Sequence, residues 1–232
     1  MAPPPTQLTL GVALNDDATF DNFLISDANL QIVQSLRDPN PDSKIIYLWG
    51  PGSSGVTHLL QAMCHHYEGA DRGAIYLPLS QKGEFAPEIL FGTNNLSLVC
   101  LDDMEELAGD RTWEAALFTA FNAIMESNTK LLLGAHNVPS NLRVNLPDLN
   151  SRLQSALIFQ LRSLDEIEKR RALQLRASKR GIELSDSVID FIYQRCDRSM
   201  SGLIDVLLKL DHSSLTHKRK LTIPLIKTTM AW

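Results

Sequence analysis

The run Lys44-Ile45-Ile46-Tyr47-Leu48-Trp49-Gly50-Pro51-Gly52-Ser53-Ser54-Gly55-Val56-Thr57 decides the fold. Five apolar or aromatic residues lead into a glycine-rich turn, and a helical pattern follows from Thr57 to Tyr67. A strand that enters such a turn and leaves as a helix is the setting of a phosphate-binding loop, whose backbone N–H groups cradle an anion. The loop pattern asks for Gly-Lys-Thr, and this chain has Gly55-Val56-Thr57. Val56 replaces the cation that normally reaches the phosphates. Taken alone, the segment is either a phosphate site or a glycine-rich strand–helix turn.

Outward from this run, the same apolar texture recurs at Ala74–Leu79, Leu96–Leu101, Lys130–Ala135 and Leu157–Leu161. Near-continuous apolar runs suit strands buried on both faces of a parallel sheet. Helical patterns lie between them, at Leu30–Arg37, Pro87–Leu90, Trp113–Glu126 and around Leu149–Leu153. Alternation of this kind predicts an α/β domain with helices on both faces. After Leu161 the strands stop. Ser163 and Glu166 have capping-box spacing, and a helix is expected from there to Arg180, with Gly181 as its stop. Ser185 opens a second helix, Met200–His217 reads as a third, and Thr222 with Pro224 starts a last one. The expected division is a flexible arm over 1–19, an α/β domain over 20–162 and a helical domain over 163–232. Charge follows it: residues 1–162 hold 9 basic and 18 acidic residues, a net of −9, whereas 163–232 hold 13 and 9, a net of +4.

Composition narrows the class. Apolar residues make up 44% of the 232 and charged ones 21%, as in ordinary globular chains. No run reaches the ~18 apolar residues of a membrane span, and the Pro-rich start is not that of a signal peptide. Cys64, Cys100 and Cys196 sit in apolar surroundings and read as buried thiols of a reducing cytoplasm. His58, His65 and His66 lack a Cys or carboxylate that would complete a metal site. Leu98-Val99-Cys100-Leu101-Asp102-Asp103 is an apolar strand ending in two carboxylates. P-loop NTPases hold magnesium and orient water with such a pair, although an acidic surface turn reads the same way.

The loop, the carboxylate doublet and the helical tail together resemble the AAA+ ATPases, which implies a P-loop-type five-stranded parallel sheet followed by an all-α lid. Other segments narrow the resemblance to the DnaA-related branch. Thr19-Phe20-Asp21-Asn22-Phe23 resembles its entry segment, and Leu146-Pro147-Asp148-Leu149-Asn150-Ser151-Arg152-Leu153 its arginine-finger region. His217-Lys218-Arg219-Lys220-Leu221-Thr222-Ile223-Pro224 resembles the end of the short Hda-type members, the regulatory inactivators of DnaA. Gln7-Leu8-Thr9-Leu10 resembles the peptide by which these proteins dock on the sliding clamp, with Gln7, Leu8 and Leu10 as the contacts. The resemblance implies Gly50, Gly52, Gly55, Thr57 and Asp102 as nucleotide contacts. It also implies Arg152 as a finger offered in trans, in preference to Arg143 and Arg162. The expected partners are DnaA and the clamp, in the cytoplasm, without a DNA-reading module after Trp232.

Three nucleotide contacts depart from the family pattern. Val56 stands at the loop cation, and Ser201 at the lid arginine, with Arg198 a turn away. Gly134-Ala135-His136-Asn137 stands at the strand-four polar sensor. ADP or another nucleotide is the candidate cofactor, and these losses predict that it binds weakly or not at all. The expectation is a non-hydrolysing activator of a partner's ATPase. The alternative is an autonomous NTPase working through Asp102 and Asp103.

Overall fold

The structure is a computed structural model that describes residues 14–38, 43–68, 70, 73–217 and 221–232. Five parallel strands form one sheet in the order β2-β3-β4-β1-β5. They are β1 (Ile45–Trp49), β2 (Ala74–Pro78), β3 (Leu98–Asp102), β4 (Lys130–Ala135) and β5 (Leu157–Gln160). Along β1, Ile45 and Tyr47 face one apolar layer, and Ile46 and Leu48 face the other. Side chains alternate across a strand, so a run apolar at every position is what a sheet covered on both sides requires. Helices α1 (Leu30–Arg37) and α2 (Val56–Glu68) cover one face. Helices α3 (Arg111–Met125) and α4 (Pro147–Gln154) cover the other. Pro87–Leu90, expected as helix, is a single 3₁₀ turn. β5 departs from the two-sided rule because it is an edge: it alternates half-buried and exposed residues, with Ile158 40% exposed.

The helical domain has its own core of α5 (Glu166–Lys179), α6 (Asp186–Tyr193), α7 (Met200–His217) and α8 (Ile223–Met230). The α5 start is corrected by two residues. The capping box is Asp165 with Glu168, not Ser163 with Glu166. Glu168 N donates to Asp165 Oδ1 (2.8 Å), and Asp165 N donates to Glu168 Oε2 (3.0 Å). Both pairs have the spacing, and the pair that forms has a carboxylate at the cap, next to the positive helix end. At the far end Gly181 is left-handed, with φ +71°, and Ile182 N donates to Ala177 O (2.9 Å), closing the helix as expected. Cys64 and Cys100 are buried, but Cys196 is only half-buried. Among the described residues no helix is long and apolar enough to cross a membrane.

On sequence, residues 14–19 are assigned to the arm. From Leu14 onward the chain is fastened to the domains. Asn15 N donates to Gln61 Oε1 (2.9 Å), Asp17 pairs with Arg180, and Ala18 is buried. Residues 1–13, with Gln7, Leu8 and Leu10, lie outside the described residues, as do Lys218-Arg219-Lys220.

One buried acid organises the approach to α4. Glu114 is 1% exposed, and its carboxylate accepts from Gly109 N (2.8 Å), Asn145 N (2.9 Å) and Leu146 N (2.9 Å). Hydrogen bonds to a charged acceptor are the strong ones, and an orphaned buried N–H is costly. Glu114→Ala is therefore expected to destabilise the fold by ~3 kcal/mol in urea unfolding and to loosen α4 in amide exchange.

Candidate functional site

The loop runs from the end of β1 to α2, at the carboxyl edge of the sheet where α/β ligand sites form. Gly50 passes so close to the chain leaving β5 that a Cβ there would sit 2.5 Å from Leu161 O. Gly55 has φ +103°, and a Cβ there would meet the Phe23 ring at 2.8 Å. Both glycines are therefore required by the backbone. Gly52 has open space around it, so no local packing demands it. Val56 is buried among the apolar residues of the α1–α2 face, and Thr57 is exposed at the helix start.

A cavity of about 370 Å³ opens between this loop, the N-terminal segment and the helical domain. Ser53, Gly55, Thr57 and His136 line it, as do the apolar residues Ala18, Met200, Ile204 and Leu208. The size is that of a small-ligand site. Of the five sequence-predicted nucleotide contacts, Gly55 and Thr57 line the cavity, and Gly50, Gly52 and Asp102 do not.

Asp102 is 2% exposed at the end of β3. It accepts from Tyr76 Oη (2.9 Å), from Asp103 N (3.0 Å) and from the Thr57 hydroxyl. Burial raises its pKa despite these bonds. Asp103 is left-handed, with φ +56°, and faces His136 Nε2 at 3.9 Å. Asn137 is turned away: Glu105 Oε1 accepts from His136 N (2.6 Å) and Asn137 N (2.9 Å), and Tyr47 Oη donates to Asn137 O (2.9 Å). Of the two candidate sensors, His136 alone lines the cavity. A magnesium–triphosphate set does not fit these residues. The loop offers no cation, and the carboxylate that would hold the metal is buried and already accepts three hydrogen bonds. Among the described residues no group of three His, Cys, Asp or Glu is arranged for a metal ion.

The lid position is tied directly to the loop: the Ser201 and Ser53 hydroxyls are 3.0 Å apart, and Ser199 Oγ lies 3.0 Å from Ser201 Oγ. Arg198 points elsewhere and pairs with Glu166 at 3.4 Å in solvent.

Sequence reasoning missed the cation that does line the cavity, Arg176 of α5. Arg176 Nη2 lies 2.6 Å from His58 Nδ1, and His58 Nε2 lies 2.8 Å from Thr19 O. A carbonyl only accepts, so Nε2 carries the proton and Nδ1 accepts from arginine. Desolvation, then the Arg176 charge, lowers the His58 pKa to about 4. No signal in the sequence marks this pair, whose members are 118 residues apart.

Arg152 is on α4, outside the cavity. Its guanidinium carbon lies 4.9 Å from the Phe118 ring centre and 5.4 Å from that of Phe121. It is thus laid against α3 by cation–π contact. Arg143 and Arg162 are exposed.

The chain matches two family models. Residues 14–160 match the bacterial DnaA ATPase domain, and residues 155–230 match the lid domain of Hda. Domain III of the replication initiation protein DnaA from Thermotoga maritima is similar over 95% of this chain and 98% of that one, at 20% identity and TM-score 0.75. AMPPCP-bound DnaA from Aquifex aeolicus is similar over 89% of this chain and 69% of that one, at 22% identity and TM-score 0.68. RuvB, a Holliday junction branch migration motor from Thermotoga maritima, is similar over 92% and 71%, at 16% identity and TM-score 0.66. At these identities the structural likeness concerns the fold.

His58 gives the site a pH signature. Its folded pKa lies below the ordinary 6.5, so the fold favours neutral imidazole. That stabilisation is complete above pH 6.5 and is lost as pH falls toward 4, by about 3 kcal/mol in all. The charges facing His58 are Arg176 from α5 and His65 from its own helix, and both oppose its protonation. Urea midpoints are expected to drop between pH 7 and 5 more in the parent than in His58→Gln.

Proposed function

This chain belongs to the DnaA-related AAA+ family and carries an Hda-type lid, and from that premise we propose that it is a regulator of replication initiation. In this reading it binds the DNA-loaded sliding clamp through Gln7, Leu8 and Leu10. It offers Arg152 to the nucleotide of ATP-bound DnaA, drives that nucleotide to ADP and so prevents re-initiation. It hydrolyses no ATP of its own, and it works in the cytoplasm.

One observation carries the reading. Val56 stands where the loop cation is expected, while Arg152 lies outside the cavity, on α4. A guanidinium so placed is of no use to the chain's own ligand. Charge developing on a transferred phosphoryl group needs a cation, and a trans arginine can supply it. The stacking on Phe118 and Phe121 supports the same role, because it holds the planar group in place without neutralising it. The Gln-Leu-x-Leu arm supplies tethering: burying two leucines is worth ~3–6 kcal/mol gross, before ordering costs.

The test is the loss of ATP from DnaA in the presence of clamp-loaded DNA. Arg152→Ala is expected to reduce the stimulated rate on the order of 10³-fold. Arg152→Lys should recover little, since lysine lacks the planar fork, and Arg143→Ala should match the parent. Full activity of Arg152→Ala would remove the finger assignment. Changing Gln7, Leu8 and Leu10 together to Ala should abolish co-elution with the clamp and leave the far-UV spectrum unchanged.

Alone, the parent is expected to turn over little or no ATP. Turnover that Asp103→Ala stops would favour an autonomous NTPase instead.

A further inference from the structure

The N-terminal segment crosses the junction of the two domains and fastens to both. Leu14 packs on the α1–α2 face. The backbone of Asn15 is held to α2 on both sides: its N–H donates to Gln61 Oε1 (2.9 Å), and its carbonyl accepts from His65 Nε2 (3.0 Å). Two residues on, Asp17 pairs with Arg180, the residue that ends α5, and Arg180 also pairs with Asp211 of α7. The turn between them is tied internally. Asp17 N donates to Asn15 Oδ1 (3.0 Å), and Ala18 N donates to Asn15 O (2.8 Å). Asn15 and Asp17 therefore move as one unit, which clasps α2 to α5. This unit is fastened mainly by polar contacts, at an exposed Asn15 and a half-buried Asp17. From Ala18 onward apolar packing takes over. Ala18 is buried, Phe20 meets the His66 ring edge-on with Arg37 against its face, and Phe23 enters the sheet-side core.

Leu10 of the Gln-Leu-x-Leu peptide is four residues from Leu14, and four residues of extended chain span about 14 Å at most. A folded partner that buries Leu10 in a pocket therefore brings its surface up to the Asn15–Asp17 turn. Hydrogen bonds and ion pairs open to solvent contribute least to stability, so these contacts yield first. We propose that Asn15 and Asp17 form a clasp that opens when the arm is gripped, so that engagement of Gln7, Leu8 and Leu10 loosens the helical domain from the α/β domain. The inference rests on the reading that the arm docks on a partner. With the clasp open, Arg180 keeps Asp211 within the helical domain but loses its tie to the N-terminal segment. Lys179 with Asp21 and Ser53 with Ser201 are left to hold the junction, together with the His58–Arg176 contact. The arm thus changes the body of the protein as well as tethering it. Linkage fixes the sign of the effect. A contact that must break on binding weakens that binding, so a variant whose clasp is already open must hold the partner more tightly.

The experiment measures sliding-clamp affinity by biolayer interferometry and amide exchange by mass spectrometry, both on the full chain. On saturation with the clamp, amides at the end of α5 are expected to exchange at least threefold faster, with those of α6 unchanged. Asp17→Ala should bind the clamp at least threefold more tightly than the parent and show the faster α5 exchange already when free. Asn15→Ala, which removes the Oδ1 that ties the turn, should shift both readouts the same way. Asp16→Ala is the control: it removes the same charge from an exposed neighbour that has no ion pair among the described residues, and it should match the parent. If the clamp does not bind the parent, the docking reading fails. The clasp is then decided by the same two measurements with residues 2–10 replaced by an epitope peptide and its antibody fragment as the grip. With either grip, equal affinity of Asp17→Ala and the parent, or α5 exchange unchanged on binding, would overturn the proposal. A gain from Asp16→Ala as large as that from Asp17→Ala would reduce the effect to net charge and overturn it as well.

Discussion

β1 is hydrogen-bonded to β4 on one side and to β5 on the other. That central position fixes nearly everything that follows. Gly50 N donates to Ala135 O at the end of β4, and Leu161 N donates to Trp49 O as the chain leaves β5. The loop after β1 is thus gripped by the two strands that flank it. β4 brings His136 to the same edge, and the chain after β5 passes straight into the helical domain. The cavity exists because three stretches distant in sequence converge on the end of one strand.

Within that frame, polar and apolar substitutes take over from charges. Val56 adds methyl groups to a core, and Ser201 ties the helical domain to Ser53 through a neutral hydroxyl pair. His58, held neutral, joins Thr19 to Arg176. Arg180 with Asp17 and Lys179 with Asp21 add ion pairs between the N-terminal segment and α5. Phe23 packs into the sheet-side core while the next residue, Leu24, packs into the helical one. The two domains are thus joined by direct protein contacts around the cavity.

Much of this was legible in the residues. β4 and α1 begin and end where the apolar runs do, because burial on both faces or on one stripe leaves a plain pattern. β5 was read as a strand, but its exposure was not, since a run of Leu157-Ile158-Phe159 looks the same at an edge as in the centre. The α5 cap was misplaced because Ser163 and Asp165 both have an acid three residues on, and spacing alone does not rank them. Arg176 escaped notice because α5 is crowded with cations, and what singles one out is a cavity made by residues from four other parts of the chain. Whether a charge faces solvent, a carboxylate or a void is a property of packing, not of spacing.

The edges of the sheet bear on how this protein meets other molecules. β5 has four residues, and β2, the opposite edge, has five and ends at Pro78, which has no N–H to donate. Short borders with few free amides are poor templates for strand addition, one of the commonest routes to unwanted aggregation. Any specific association is thereby steered onto helices and loops, where side chains rather than backbone amides choose the partner.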